Sequence, residues 1–184
     1  MGTRQAAAAR TRMSLIDAGL RLAERTGLTG LSINLLVEEA GVSKGTFFHH
    51  FGDRATYLLA LHREFHDRLL TEIEDATDGI QPGPERLAVA ANTYLDGCLR
   101  NRGVRALLLE ARADPLIAEE IGSRNAATAT RVHADFTAMK WPHPLESAQL
   151  WVGMTAEAAL LELKAGRRTP AVRAALNHFT NSTR

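Results

Sequence analysis

The residues best suited to chemistry fall in one short run, Ser43 to His50, which carries two hydroxyls, an ammonium and two imidazoles within eight positions. A threonine can meet a thymine methyl or a phosphate, a lysine can meet guanine or phosphate, and a histidine can donate to either. Helical spacing turns Phe47 inward with Phe51 and leaves Lys44, Gly45, Thr46, Phe48, His49 and His50 on the outer face. Such a face suits the major groove of double-stranded DNA. The same spacing also suits an ordinary corner between two helices of a bundle. Elsewhere the chemistry is thinner. His62 and His66 stand four apart and could share a metal, but no third ligand accompanies them, so they are expected as surface histidines and no metal is expected. No nucleophile elbow, phosphate loop, zinc spacing or paired acid and base is found, so no catalytic residue and no cofactor is expected.

The elements that must hold this run in place are all helical. Almost every segment between Gly or Pro punctuation has a 3.6-residue apolar period, and no strand-like alternation appears. Ile16, Leu20 and Ala23 give a first helix over about 10–25, which Ala6–Ala9 can prolong, with Gly27 as its cap. Ser32 can cap a short second helix bearing Ile33, Leu36, Val37 and Ala40. Gly41 interrupts it, taking positive φ without steric cost, and Val42 plugs the corner. Ser43 caps the third helix, and Asp53 caps a longer one with Leu58, Leu61, Phe65, Leu69 and Ile73 in register.

The run from Ala18 to Leu61 closely resembles the DNA-binding region of the TetR (tetracycline-repressor-like) transcriptional regulators. Gly27, Ser32, Leu36, Ala40-Gly41-Val42-Ser43, Gly45-Thr46-Phe47-Phe48, His50-Phe51, Asp53-Arg54 and Leu58 carry the likeness. It implies a recognition helix presenting Ser43, Lys44, Thr46, Phe48, His49 and His50. It also implies phosphate contacts from Ser32 and Arg54. Three residues depart from the family pattern. Phe48 replaces the usual tyrosine and removes a phenolic hydrogen bond to phosphate, Arg54 replaces lysine with a different charge geometry, and Val37 replaces alanine, which implies a wider spacing of the first two helices.

Beyond Pro84, punctuation predicts helices at about 84–101, 103–113, 115–140, 145–165 and 170–180. The segment 145–165 is apolar around most of its circumference and must be covered on more than one side. A partner subunit is the expected second cover, with the 170–180 helix completing a four-helix interface; a helix buried within its own monomer is the alternative. The resemblance implies that this region dimerises and encloses a small-molecule effector. Candidate pocket residues combine apolar bulk with a polar tip: Tyr94, Cys98, His133, Phe136, Trp151, Met154 and Glu157. Glu157 is expected to find a partner, a ligand or solvent, since an unpaired buried carboxylate is costly. His143, between two prolines, is expected in a loop.

The formal charge of +1 is unevenly divided: residues 1–54 hold seven Lys/Arg against five acids, with Arg4, Arg10 and Arg12 ahead of any acid as a basic arm. An apolar share of 45% and a charged share of 23% suit a folded core. The lone Cys98 rules out an intramolecular disulfide and is expected reduced and buried. Charge interrupts every apolar stretch before a membrane span is reached, so a cytoplasmic location is expected. The expectation is an all-α chain with a three-helix helix-turn-helix DNA-binding domain over 1–54 and a helical bundle for effector binding and dimerisation over 55–184. The leading reading is a homodimeric regulator, a repressor in this family, on a palindromic operator and released by a small molecule. A dimeric DNA-binding protein without effector is the second reading, and an α-helical enzyme the third.

Overall fold

The structure, a computed structural model, describes residues 2–26 and 31–181. Among these the regular elements are nine α-helices and one short 3-10 turn: α1 (Thr3–Thr26), α2 (Ile33–Ala40), α3 (Lys44–Phe51), α4 (Arg54–Thr77), α5 (Pro84–Arg100), α6 (Arg102–Glu110), the turn Ala111–Ala113, α7 (Pro115–Ala138), α8 (Pro144–Ala165) and α9 (Pro170–Asn181). The all-α expectation holds, and the predicted caps form. Ser32 Oγ accepts the Leu35 amide at 3.2 Å and Ser43 Oγ the Thr46 amide at 3.1 Å. Asp53 starts α4 by accepting the Thr56 amide at 2.7 Å, which holds its carboxyl below the usual range. The expected cap at Gly27 lies outside the described residues.

The chain divides into two compact units, Met1–His66 with Asn101–Ala118, and Asp67–Arg100 with Glu119–Arg184. The first unit therefore takes in the N-terminal half of α4 and the whole of α6 in addition to residues 1–54. Its core joins Leu15, Ile16 and Leu22 of α1 to Leu36 of α2, Phe47 and Phe51 of α3, Tyr57 and Leu61 of α4, and Val104, Leu107 and Leu108 of α6, all buried. Two close approaches shape it. The buried Tyr57 hydroxyl donates to the Leu15 carbonyl at 2.9 Å, and a Cβ at Gly19 would meet that hydroxyl at 1.9 Å, so only glycine fits there. Where α6 meets α1, a Cβ at Gly103 would stand 2.3 Å from the Ala23 carbonyl oxygen. Glu24 of α1 accepts the Gly103 and Val104 amides at 3.2 and 3.0 Å and thereby caps α6 with a carboxylate.

The second unit packs α5, α8 and α9 together and adds α7. The inward stripe of α8 runs through Ala148, Trp151, Val152, Thr155, Ala158, Ala159 and Glu162, all buried. Away from this stripe Leu150 is 69% and Leu161 43% exposed, and Leu145 in the first turn is 42% exposed. On α9, Leu176, Arg173 and Thr180 are buried and Val172 is half-buried, while Ala175 and Phe179 are exposed. Arg173 is held inward by Glu162, whose two carboxylate oxygens accept from its guanidinium.

Candidate nucleic-acid interface

The corner between α2 and α3 is built by a left-handed glycine. Gly41, at φ 67°, ends α2, its amide bonding the Glu38 carbonyl at 3.1 Å while the Val42 amide bonds Val37 at 2.9 Å. This paired closure fixes the exit direction of the chain, and Ser43 restarts it as α3. Phe47, fully buried, stacks within 5.2 Å of Tyr57 and 5.4 Å of Phe51, so α3 is held on its inner side by an aromatic cluster. Ion pairs from Arg21 and Arg25 of α1 to Glu39 of α2, at 3.1 and 2.5 Å, add a surface clamp, and those hydrogen bonds keep the Glu39 carboxyl below its ordinary value.

With its aromatic side anchored, α3 exposes Ser43, Lys44, Gly45, Phe48 and His49. Thr46 is half-buried, its hydroxyl 2.9 Å from that of Ser43, so these two side chains form one hydroxyl pair at the start of the helix. Phe48 is 48% exposed and stands edge-on to Phe47. His50 is half-buried beside His49 and Phe51. Burial, then the charges of His49 and Arg12, hold the His50 imidazole below its ordinary value and keep it neutral near pH 7. A neutral ring offers one donor and one acceptor, whereas a protonated ring could only donate. Ser32 and Arg54, at the starts of α2 and α4, are both exposed. Arg12 of α1 lies over the Phe51 ring at 5.0 Å, fixing one cation of the N-terminal arm against the α3 aromatic cluster.

The candidate effector residues lie in the second unit. Tyr94 and Cys98 share a face of α5, His133 and Phe136 a face of α7, and Trp151 and Met154 a face of α8. Cys98, Phe136 and Trp151 are buried; Tyr94, His133 and Met154 are half-buried. Glu157 is exposed on the outer face of α8. The carboxylate that α8 does bury is Glu162, which spacing placed one turn along the same inward stripe and which the sequence reading missed. Arg173 donates to both its oxygens at 2.8 and 2.7 Å, and also reaches Asp96 at 2.7 Å and Asn92 at 3.2 Å. Burial opposes ionisation of Glu162, but the Arg173 and Thr169 hydrogen bonds outweigh it and hold the carboxyl below its ordinary value. A second buried carboxylate, Asp135, receives the Gly83 amide at 2.9 Å and both Arg86 nitrogens at 2.7 and 2.6 Å.

The histidine pair departs from expectation. His62 is 2% exposed, because it flanks the inward Leu58, Leu61 and Phe65 of α4, and its ring lies 4.3 Å from that of the half-buried His66. Among the described residues no group of three or more His, Cys, Asp or Glu could hold a metal ion, and no helix is long and apolar enough to cross a membrane. His143 is exposed just ahead of α8.

Residues 15–61 match the family profile described as bacterial regulatory proteins, tetR family. Over 81 residues the chain is 31% identical to the HTH-type transcriptional repressor AcnR of Corynebacterium efficiens and to that of Corynebacterium glutamicum. The alignment covers 41% of this chain and 43% of each repressor, so the chain matches less than half the length of these curated relatives. Similarity to solved structures is broader. A transcriptional regulator from Rhodococcus sp. Rha1 superposes with a TM-score of 0.77 at 23% identity over 92% of this chain and 94% of that one. The multidrug binding protein EbrR, solved with imidazole, gives 0.74 at 19% identity over 94% and 96%. RolR, solved with resorcinol, gives 0.69 at 17% identity over 96% and 90%. At these identities the structural matches establish the fold.

Proposed function

For a chain that belongs, through residues 15–61, to the TetR family of bacterial regulatory proteins, we propose the role of a cytoplasmic homodimeric repressor that binds a palindromic operator and is released by a small-molecule effector. It acts by binding and not by catalysis. The observation that carries this reading is the two-sided character of α3: Phe47 and Phe51 are buried, while Ser43, Lys44, Gly45, Phe48 and His49 face outward. Lys44, Thr46, His49 and His50 read base edges, Phe48 packs against a thymine methyl or sugar, and Ser32, Ser43 and Arg54 meet phosphates.

Dimerisation uses α8 and α9, where Leu150, Leu161 and Phe179 stay exposed on a single chain. A two-fold axis there presents two copies of α3 to half-sites about 34 to 36 Å apart, or a multiple of that. The effector meets Tyr94, Cys98, His133, Phe136, Trp151 and Met154 in the second unit, with Glu157 at its outer edge. Small molecules bound to EbrR and RolR, which share this fold, support that part of the reading. Because α4 belongs to both units, it is the natural carrier of the coupling, and operator DNA weakens the effector by the same factor as the effector weakens DNA.

The decisive experiment is selection of bound sequences from a random DNA pool. A recovered palindrome establishes specificity, dimerism and half-site spacing together. Recovery of no sequence above background, with no salt-dependent binding to mixed DNA, would remove the regulator reading.

A further inference from the structure

Two arginines are more than nine-tenths buried among the described residues, and their surroundings differ in kind. Arg173, 4% exposed, is neutralised by Glu162 and Asp96. Arg105 in α6, 8% exposed, has no carboxylate within ion-pair reach among the described residues, and its Nε is sealed from solvent without a hydrogen-bond partner. A guanidinium offers five N–H donors and no acceptor, so only an acceptor can answer it. An uncompensated buried charge is among the costliest features a fold can hold.

The neighbouring carboxylates do not resolve it. Glu24 is committed to the Gly103 and Val104 amides in the same turn. Glu110, the one acid within α6, is exposed and lies about 140° round the helix from Arg105. The exposed Arg102 and Arg112 add positive charge on either side. Val104, Leu107 and Leu108 of the same helix are sealed in the core, so only the guanidinium is offered to an arriving anion.

We propose that Arg105 is the anchor of a binding site for a small organic carboxylate. The planar two-oxygen group matches the guanidinium fork, supplying two parallel hydrogen bonds and the missing countercharge. The site belongs to the first unit, alongside α1 to α3, and lies outside the candidate effector residues of the second unit. As a binding site it stands by itself; only its role as effector site rests on the regulator reading.

The test uses the full chain. Melting temperature is followed against octanoate, benzoate and glutarate, their matched amides, and inorganic phosphate, at constant ionic strength. One or more carboxylates should raise the melting temperature by about 5 to 10 °C at a hundredfold excess over Kd, while the amides leave it unchanged. Arg105→Met should raise the melting temperature of the unliganded protein and abolish the carboxylate response. Arg105→Lys, which keeps the charge without the fork, should bind the carboxylate about tenfold more weakly or worse. Equal responses to acids and amides, a response to phosphate alone, or an unliganded Arg105→Met that melts lower yet keeps its carboxylate response would overturn the proposal. If Arg105→Met fails to fold, the acid and amide comparison on the native protein and on Arg105→Lys decides. DNA binding measured on the same samples separates the two readings. DNA binding with no carboxylate response removes the site and leaves the regulator; a carboxylate response without DNA binding leaves the site and removes the regulator.

Discussion

At the scale of the residue, the proposed function gives Lys44 and Thr46 the reading of bases and Arg54 the holding of phosphate. Lys44 is exposed at the first turn of α3, and Thr46 is half-buried against Ser43, so a groove that admits the helix meets both. Thr46→Ala and Lys44→Ala should each weaken operator binding by about 1 to 3 kcal/mol while leaving the dimer intact. Quantitative binding to the selected operator checks this, and unchanged affinity in both would remove the assigned reading face. Arg54 stands at the start of α4, fully outside the aromatic cluster. Arg54→Ala should weaken specific and mixed DNA alike and reduce the salt slope by about 1. A change confined to sequence preference would contradict its phosphate role. Phe48, where the family has tyrosine, keeps only apolar and edge-on aromatic contact.

Elements contribute by how closely they approach. The contact between α1 and α6 depends on a missing Cβ, because the atoms facing Gly103 are backbone atoms of Ala23 and Glu24 that cannot turn aside. Gly103→Ala should therefore part the two helices, break the Glu24 cap and cost about 1 to 3 kcal/mol or more, measured by denaturant unfolding. Retention of full stability would mean that α6 can slide along α1 without loss. Since α1 also carries the Tyr57 and Glu39 contacts that seat α4 and α2, a displaced α1 disturbs the platform on which α3 rests.

For the molecule as a whole, two features set its response to conditions and concentration. Glu162 has a carboxyl held below its ordinary value of 4.5 by Arg173, so the unfolded chain takes up the proton more readily than the folded one. The stability this confers is complete well above pH 4.5 and is lost as the pH falls below it toward the depressed folded value. Glu162→Gln should flatten that acid limb and lower stability at pH 7 by about 1.5 to 3 kcal/mol, since Arg173 keeps the half-exposed Asp96 and the Asn92 amide oxygen but loses its charged two-oxygen partner. Melting curves against pH decide it; an unchanged acid limb would shift responsibility to Asp135. Leu150, 69% exposed on α8, bears on assembly. Leu150→Glu should convert the dimer to monomer in light scattering and weaken operator binding on the order of a hundredfold, because the two half-sites are then bound separately. A dimer that survives the change would place the interface elsewhere.

What could be read from the chain alone was whatever is local. Caps at Ser32, Ser43 and Asp53, the left-handed turn at Gly41 and the inward Phe47 and Phe51 follow from interactions within three or four residues, which spacing encodes directly. Helix boundaries beyond Pro84 followed for the same reason. The pairing of Glu162 with Arg173, the capping of α6 by Glu24, the burial of His62 and the uncompensated charge of Arg105 were not legible, because each depends on which helix lies opposite. Periodicity shows that a helix has an inner face but not what faces it. A buried charge is therefore visible in sequence only as an anomaly within an apolar stripe, and packing alone decides whether a partner answers it.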